Sequence, residues 1–264
     1  MKTVLITGAS SGIGEALARK LASRKQNLLL VSRNAEKLKS LCFELSEQYG
    51  INAEFIKADL AKIGAADQIF QESQLRGLEI EILINNAGIG SGGPFAELGL
   101  QSELDLIQLN NTSLVAMTHL FLQHMKSRRS GTIINVASMA AFMPVPYMAV
   151  YAASKVFVRS FTEALTEECK PDNIHIMLLC PGLTTTNFNQ AAGIENEIGK
   201  ALTEGASLQT PQQVAEETMK ALDKKKNIIV SGSKNRMGAM MMALVPNKLI
   251  ARFTAKNYQK AMKI

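Results

Sequence analysis

Seven short runs of branched apolar residues, most of them followed by a stretch with helical period, leave this 264-residue chain few ways to fold. The runs are Thr3 to Thr7, Leu28 to Ser32, Ala53 to Lys57, Ile80 to Asn85, Thr132 to Val136, Ile174 to Leu179 and Asn227 to Val230. Each is too short for a helix, and several are apolar without alternation, the pattern of strands covered on both faces. Between them lie amphipathic stretches: Gly12 to Arg24 with Ile13, Ala16, Leu17 and Leu21 on one stripe, Ala35 to Tyr49, Leu104 to Lys126, Tyr151 to Cys169 and Pro211 to Leu222. Strand-helix alternation of this kind predicts βαβ units, and so an α/β fold with a doubly wound parallel sheet of about seven strands between two helical layers. No linker or repeat divides it, so residues 1–264 are expected to form one domain: a core to about 230 and a basic C-terminal helical extension from about 231.

The first strand runs into Thr7-Gly8-Ala9-Ser10-Ser11-Gly12-Ile13-Gly14, which opens the first helix. Glycines here let a backbone approach a pyrophosphate, and the start of a helix offers unpaired N–H groups to its charge. A glycine cluster can also be a plain tight turn, but one between an N-terminal buried strand and a helix points to dinucleotide binding. The end of the second strand bears on which dinucleotide. A carboxylate there would meet a ribose 2′-hydroxyl, whereas this chain has Ser32 and Arg33, and an arginine can grip a 2′-phosphate bidentately. NADP(H) is therefore favoured over NAD(H).

Downstream of the fifth run come Ser138 and then Tyr151 and Lys155, one helical turn apart and so on one face. A free tyrosine has a pKa of about 10, and lowering it by about 3 units takes roughly 4 kcal/mol. One cation at about 4 Å in an effective dielectric near 20 supplies about that much. Tyrosine, lysine and serine so arranged suit a general acid/base, its tuner and an anchor for the oxygen that gains or loses a proton.

In these residues the chain resembles the short-chain dehydrogenase/reductase superfamily, in its compact single-domain form with a Rossmann-type three-layer core. The likeness rests on the glycine turn at 7–14, Asp59-Leu60, Asn85-Asn86-Ala87-Gly88, Asn110, Ser138, Tyr151-x-x-x-Lys155 and Pro181-Gly182, in order and at family-like spacing. The resemblance implies that Asp59 and Leu60 contact the adenine, and that Asn86, Ala87 and Gly88 line the adenosine ribose. It implies Tyr151 as proton donor, Lys155 on the nicotinamide ribose and Ser138 on the substrate oxygen. Asn110 would kink its helix to hold a water in a proton relay. Thr184 and Thr186, beyond Pro181-Gly182, would bracket the carboxamide. The implied chemistry is hydride transfer between a nicotinamide and a carbonyl or secondary alcohol, with no metal. A silent dinucleotide-binding sensor or scaffold on the same fold is the alternative.

Met139, Met148, Leu183 and Phe188, with Phe142, Met143 and Val145 nearby, give the expected substrate site an apolar lining and suggest a small apolar carbonyl or alcohol. Three histidines lack a ligand partner, Cys180 reads as packing, and Ser154 as a packing or dimer-face residue. Three cysteines without metal spacing fit a reducing compartment, and the chain begins at once with strand-like sequence, so a cytoplasmic location is expected. The net charge of +6 comes from the tail: Lys224 onward holds ten Lys/Arg and no Asp/Glu, leaving the first 223 residues at −4. With aromatics at 5%, a nucleic-acid groove is not expected. The tail, where Leu249, Ile250 and Phe253 alternate with Lys248, Arg252, Lys256 and Lys260, reads as an amphipathic segment. It could fold over the cleft, join a second copy or touch an anionic membrane surface, or simply pack on its own domain. The resemblance adds a homodimer or homotetramer.

Overall fold

The computed structural model describes residues 1–186, 188 and 207–262. Strands β1 (Lys2–Thr7), β2 (Asn27–Ser32), β3 (Ala53–Lys57), β4 (Glu79–Asn85), β5 (Gly131–Val136), β6 (Ile174–Cys180) and β7 (Ile228–Val230) form one parallel sheet in the order β3-β2-β1-β4-β5-β6-β7. Helices α1 (Gly12–Ala22), α2 (Ala35–Tyr49), α3 (Ala65–Leu75), α4 (Leu100–Ile107), α5 (Ser113–Ser127), α6 (Ala149–Cys169) and α7 (Pro211–Asp223) cover it. Alternate strand residues feed two cores. Val4, Ile6, Leu28 and Leu30 pack with Leu17, Leu38 and Met219 on one face, and Leu5, Leu29 and Val31 with Ile69, Met117 and Phe121 on the other. This two-sided burial accounts for the unalternating apolar runs.

The chain winds outward from β1 to β3 and returns at β4 beside β1. That reversal opens a crevice beyond the carboxyl ends of β1 and β4, where this class of sheet takes ligands. Beneath it Asn85 and Asn135 face each other across β4 and β5. The Asn85 amide donates to Asn135 Oδ1 (2.9 Å) and to Thr118 Oγ1 (3.0 Å), and the Asn135 amide donates to Thr162 Oγ1 (3.0 Å), so the buried polar floor of the crevice is paired.

The Leu104–Lys126 helix of the sequence reading is two helices, α4 and α5, joined by a π-helical turn over Gln108–Thr112 with Asn110 at its centre. Beyond β7, α8 (Ser233–Met242) and α9 (Asn247–Met262) make up the C-terminal extension. Most of the irregular excursion read between Gly182 and Gln209 lies outside the described residues.

Candidate active site

At the β1–α1 turn, Gly8 (φ +66°) and Gly12 (φ +59°) occupy the left-handed region that glycine adopts without strain. Gly14 packs so tightly that a Cβ there would run into the Gly8 carbonyl and the Asn86 amide. The return strand clamps this turn: Thr7 Oγ1 accepts hydrogen bonds from the N–H groups of Asn86 (3.0 Å) and Ala87 (2.9 Å), and Asn86 Nδ2 donates to the Thr7 carbonyl (2.9 Å). Ser11 precedes α1 without a side-chain cap, so the first N–H groups of that helix stay available to an anion. Beside the turn lies a cavity of about 440 Å³ lined by Ser10, Ser11, Gly12, Lys37, Thr185 and Thr186 among others. Ile13 packs against the first core. The cradle fits a pyrophosphate, because every position where a side chain would intrude carries none.

Ser32 ends β2, and its hydroxyl accepts from Asn34 N–H (3.2 Å), which orders the turn that presents Arg33 to solvent. Asp59 Oδ1 accepts from Ala61 N–H (3.1 Å) at the end of β3, with Leu60 buried beside it in the second core. Both stand at strand ends on the crevice side. Thr184 Oγ1 donates to the Gly182 carbonyl (3.0 Å), and Thr186 lies against Gly12, where a Cβ would sit 3.1 Å from its methyl. The segment after β6 therefore reaches back across the sheet to the glycine turn. Pro181 receives Met139 N–H on its carbonyl (2.9 Å), tying the ends of β5 and β6 together.

Ser138 follows β5 as the cap of a short 3-10 turn, its Oγ accepting Ala140 N–H at 3.1 Å. Tyr151 and Lys155 come from the first turns of α6, both buried. The Lys155 ammonium lies 5.9 Å from the Tyr151 ring centre and donates to the Val136 carbonyl (3.2 Å). Asn110 is held on three sides: Oδ1 accepts Ile89 N–H, and Nδ2 donates to the Ile89 carbonyl and to Ser154 Oγ, each at 3.0 Å. A Cβ at Gly88 would stand 3.1 Å from Asn110 Oδ1 and 3.3 Å from Lys155 Nζ, so a bare backbone at that position lets these two groups approach. The four residues expected to carry chemistry thus converge from three separate elements: the π-helical turn, the end of β5 and α6. Ser154, expected as a packing or dimer-face residue, is buried; its hydroxyl accepts from Asn110 and donates a hydrogen bond to the Tyr151 carbonyl (2.7 Å). Asn111, one position on, donates to the Ser154 carbonyl (2.9 Å) and takes no part in the cluster around Ile89.

Electrostatics depart from the sequence expectation. Burial pushes the Tyr151 phenol above its ordinary value of 10.0, with a hydrogen bond from Ser138 pulling back. The same burial draws Lys155 down from 10.5 to about 8. The simple picture of one cation acidifying an exposed phenol omitted desolvation, which disfavours both charged forms at once. Lys155 nonetheless remains largely charged at neutral pH. Cys180, pushed up to about 12 by burial, is an inert thiol.

Around Tyr151 the lining is apolar. Leu106, Val145, Met148 and Phe188 pack into its cluster, Phe188 with its ring centre 5.5 Å away. Met139 faces α8, its methyl 4.0 Å from a Cβ placed at Gly238. Leu183 accepts Gln209 N–H on its carbonyl (3.0 Å) and is not part of the Tyr151 cluster. Two residues the sequence did not mark complete the lining. Tyr147 adopts a left-handed backbone (φ 63°) and accepts Gly93 N–H on its carbonyl (2.8 Å). Tyr258, from α9, is buried against it, ring centres 6.2 Å apart. The only sequence signal for Tyr258 is the period Ile250, Thr254, Tyr258 on one helix face.

An α/β sheet with a glycine cradle at its switch point and a buried tyrosine-lysine pair beside it defines a dinucleotide-dependent class of fold and site. A model of the family described as short chain dehydrogenase matches residues 2–197, and the chain belongs to that family. It is 41% identical over 186 residues to 17-beta-hydroxysteroid dehydrogenase type 3 of Homo sapiens, covering 69% of this chain and 59% of that protein. It is 37% identical over 190 residues to the very-long-chain 3-oxoacyl-CoA reductase of Phaeosphaeria nodorum, covering 70% of this chain and 56% of that one. The chain thus spans rather under two thirds of the curated relatives it matches. Among solved structures, a short-chain dehydrogenase from Sphingobium yanoikuyae in complex with NADPH superposes with a TM-score of 0.82 at 28% identity, over 92% of this chain and 93% of that one.

Proposed function

We propose that this chain is an NADP(H)-dependent oxidoreductase that interconverts a carbonyl and a secondary alcohol on an apolar small molecule. The observation that carries this reading is the convergence of Ser138, Tyr151 and Lys155 beside a turn that only glycine can form. A nicotinamide, when bound, supplies or accepts the hydride. The residues do the rest. Ser138 Oγ holds the substrate oxygen, and Tyr151 protonates it during reduction or takes the proton during oxidation. Burial leaves the proton on the phenol near pH 7, and the Lys155 ammonium stabilises the phenolate that forms when the proton is given up. Asn110, fixed between Ile89 and Ser154, holds the π-helical turn open as the start of a path for the returning proton.

Arg33, exposed at the end of β2 where no carboxylate stands, supports a 2′-phosphate and hence NADP(H) over NAD(H). The adenine side rests on Asp59 and Leu60, the ribose on Asn86 to Gly88, and the carboxamide on Thr184 and Thr186. The apolar lining from Met148, Phe188 and Tyr258 supports a substrate with a hydrocarbon body, the kind that the names of the steroid- and acyl-directed relatives suggest. Outward apolar side chains on α4 and α6, among them Leu104, Ile107, Val156 and Phe157, support a homo-oligomer built across those helices. Three buried free cysteines suit a reducing, cytoplasmic setting.

A screen of NADPH oxidation over aliphatic, alicyclic, steroid and acyl carbonyls tests the reading, run beside Tyr151→Phe. Turnover by the native chain alone supports it. Tight NADPH binding with turnover by neither protein would make the chain a nucleotide sensor instead.

A further inference from the structure

The two helices that close the chain expose apolar side chains in a pattern that ordinary surface helices reverse. On α8, Met237, Met240, Met241 and Leu244 just beyond it stand at i, i+3, i+4 and i+7, the spacing of a buried stripe. Yet this stripe faces solvent: Met240 is 73% exposed and Leu244 86%. The side of α8 that packs inward is instead made by Ala239, buried, and by Gly238 against Met139. Helix α9 continues the theme. Ile250, Thr254 and Tyr258 turn toward the domain, while the exposed stripe carries Leu249 and Phe253, then Lys256 and Lys260. Phe253 is 69% exposed.

The charge pattern says what such a surface meets. No acidic residue follows Asp223, while the same stretch holds ten basic ones. Arg236 is occupied by Glu217 (3.0 Å), but Lys234, Lys248, Arg252, Lys256 and Lys260 ring the apolar side chains with positive charge and sit exposed. A second copy of the chain offers no matching acidic face in this region, since the same patch would meet its own charge. An anionic lipid surface offers both complements at once: acyl chains for methionine, leucine and phenylalanine, and headgroup charge for the lysines, whose stems can reach up past the apolar side chains. Among the described residues no helix is long and apolar enough to cross a membrane.

We propose that α8 and the outer stripe of α9 form a docking surface for an anionic lipid bilayer. The inner stripe of the same helix covers the apolar lining beside Tyr151 through Tyr258, which sets the covered cleft on the membrane side of the molecule. The docking itself is independent of the reaction proposed above, because vesicle binding needs no turnover.

Cosedimentation of the full chain with vesicles tests it, using phosphatidylcholine alone and a two-to-one mixture with phosphatidylserine. The native chain is expected to partition onto the mixed vesicles about tenfold or more over the neutral ones, with added salt weakening the contact. Reversing Lys256→Glu and Lys260→Glu together should lower that partitioning by about tenfold or more. Replacing Met240→Ser and Phe253→Ser should lower it several-fold at low salt, with the melting temperature of both variants unchanged because these side chains are exposed. The proposal is overturned if the native chain stays in the supernatant, or if both variants partition as it does. It is equally overturned if Met240→Ser with Phe253→Ser abolishes self-association in vesicle-free solution while the native chain ignores lipid, which would make the surface an interface between copies.

Discussion

The crevice has two sides made of different materials. On the side proposed for the nucleotide the surface is backbone: left-handed glycines at 8 and 12, a Gly14 with no room for a Cβ, and carbonyls tied across strands by Thr7 and Asn86. On the side proposed for the substrate it is bulk: Met148, Phe188, Tyr147 and Tyr258 crowd around Tyr151 from elements far apart in the chain. A backbone surface tolerates almost no substitution, and it is indifferent to everything except the group it cradles. A surface of flexible apolar side chains tolerates many substitutions and can be reshaped to a new ligand. Lys155 and Asn110 sit where the two meet, beside Gly88.

The largest effect is expected at that seam. Lys155→Met should lower turnover by about 10²–10⁴ yet raise stability by roughly 1–3 kcal/mol, because it removes a buried charge. Its pH dependence has a definite sign. Burial lowers Lys155 from 10.5 to about 8, so between those values the unfolded chain holds the proton that the folded chain has lost, and native stability rises with pH across that window. The advantage of the methionine variant should therefore be full below pH about 8 and gone above 10.5, as read by denaturation at several pH values. A variant destabilised at every pH would make Lys155 a structural residue. Reductive kcat/KM of the native protein should decline above pH about 8 for the same reason.

Next in size, Asn110→Ala leaves both Ile89 backbone groups without that partner, takes a donor from Ser154 Oγ, and should cost about 1–3 kcal/mol in urea denaturation. Ser154→Ala, which leaves Asn110 its two Ile89 bonds, should cost less. Arg33→Ala should raise KM for NADPH by about tenfold or more, with KM for NADH unchanged. A parallel rise for both cofactors would place Arg33 outside 2′-phosphate recognition. The smallest effect belongs to the apolar side: Tyr258→Ala should shift KM for bulky carbonyls by about three- to tenfold and leave KM for NADPH alone.

This division also explains what could be read from the chain. Gly8, Gly12 and Gly14 are legible because geometry admits nothing else there, and Tyr151 and Lys155 because one helical turn fixes their spacing. The strands are legible because two-sided burial writes unbroken apolar runs. Ser154 was not, since its role exists only once a π-helical turn brings Asn110 against it. Tyr258 was not, since α9 reaches the cleft through a packing choice that any apolar face could make. The backbone pairing of Leu183 with Gln209, 26 residues later, was not legible either, since it is set by tertiary contact. The expected acidity of Tyr151 failed because a sequence displays the neighbouring charge but not the depth of burial.

The central claim is that the Tyr151 phenol delivers the proton. Its most direct test is the single-turnover rate of NADPH oxidation at pH 7, measured on a carbonyl the native chain reduces, for native protein and Tyr151→Phe at saturating NADPH. A rate lower by about 10²–10⁴ with the NADPH Kd unchanged is the result this account predicts. Equal single-turnover rates would contradict it, and the proton would have to come from another group.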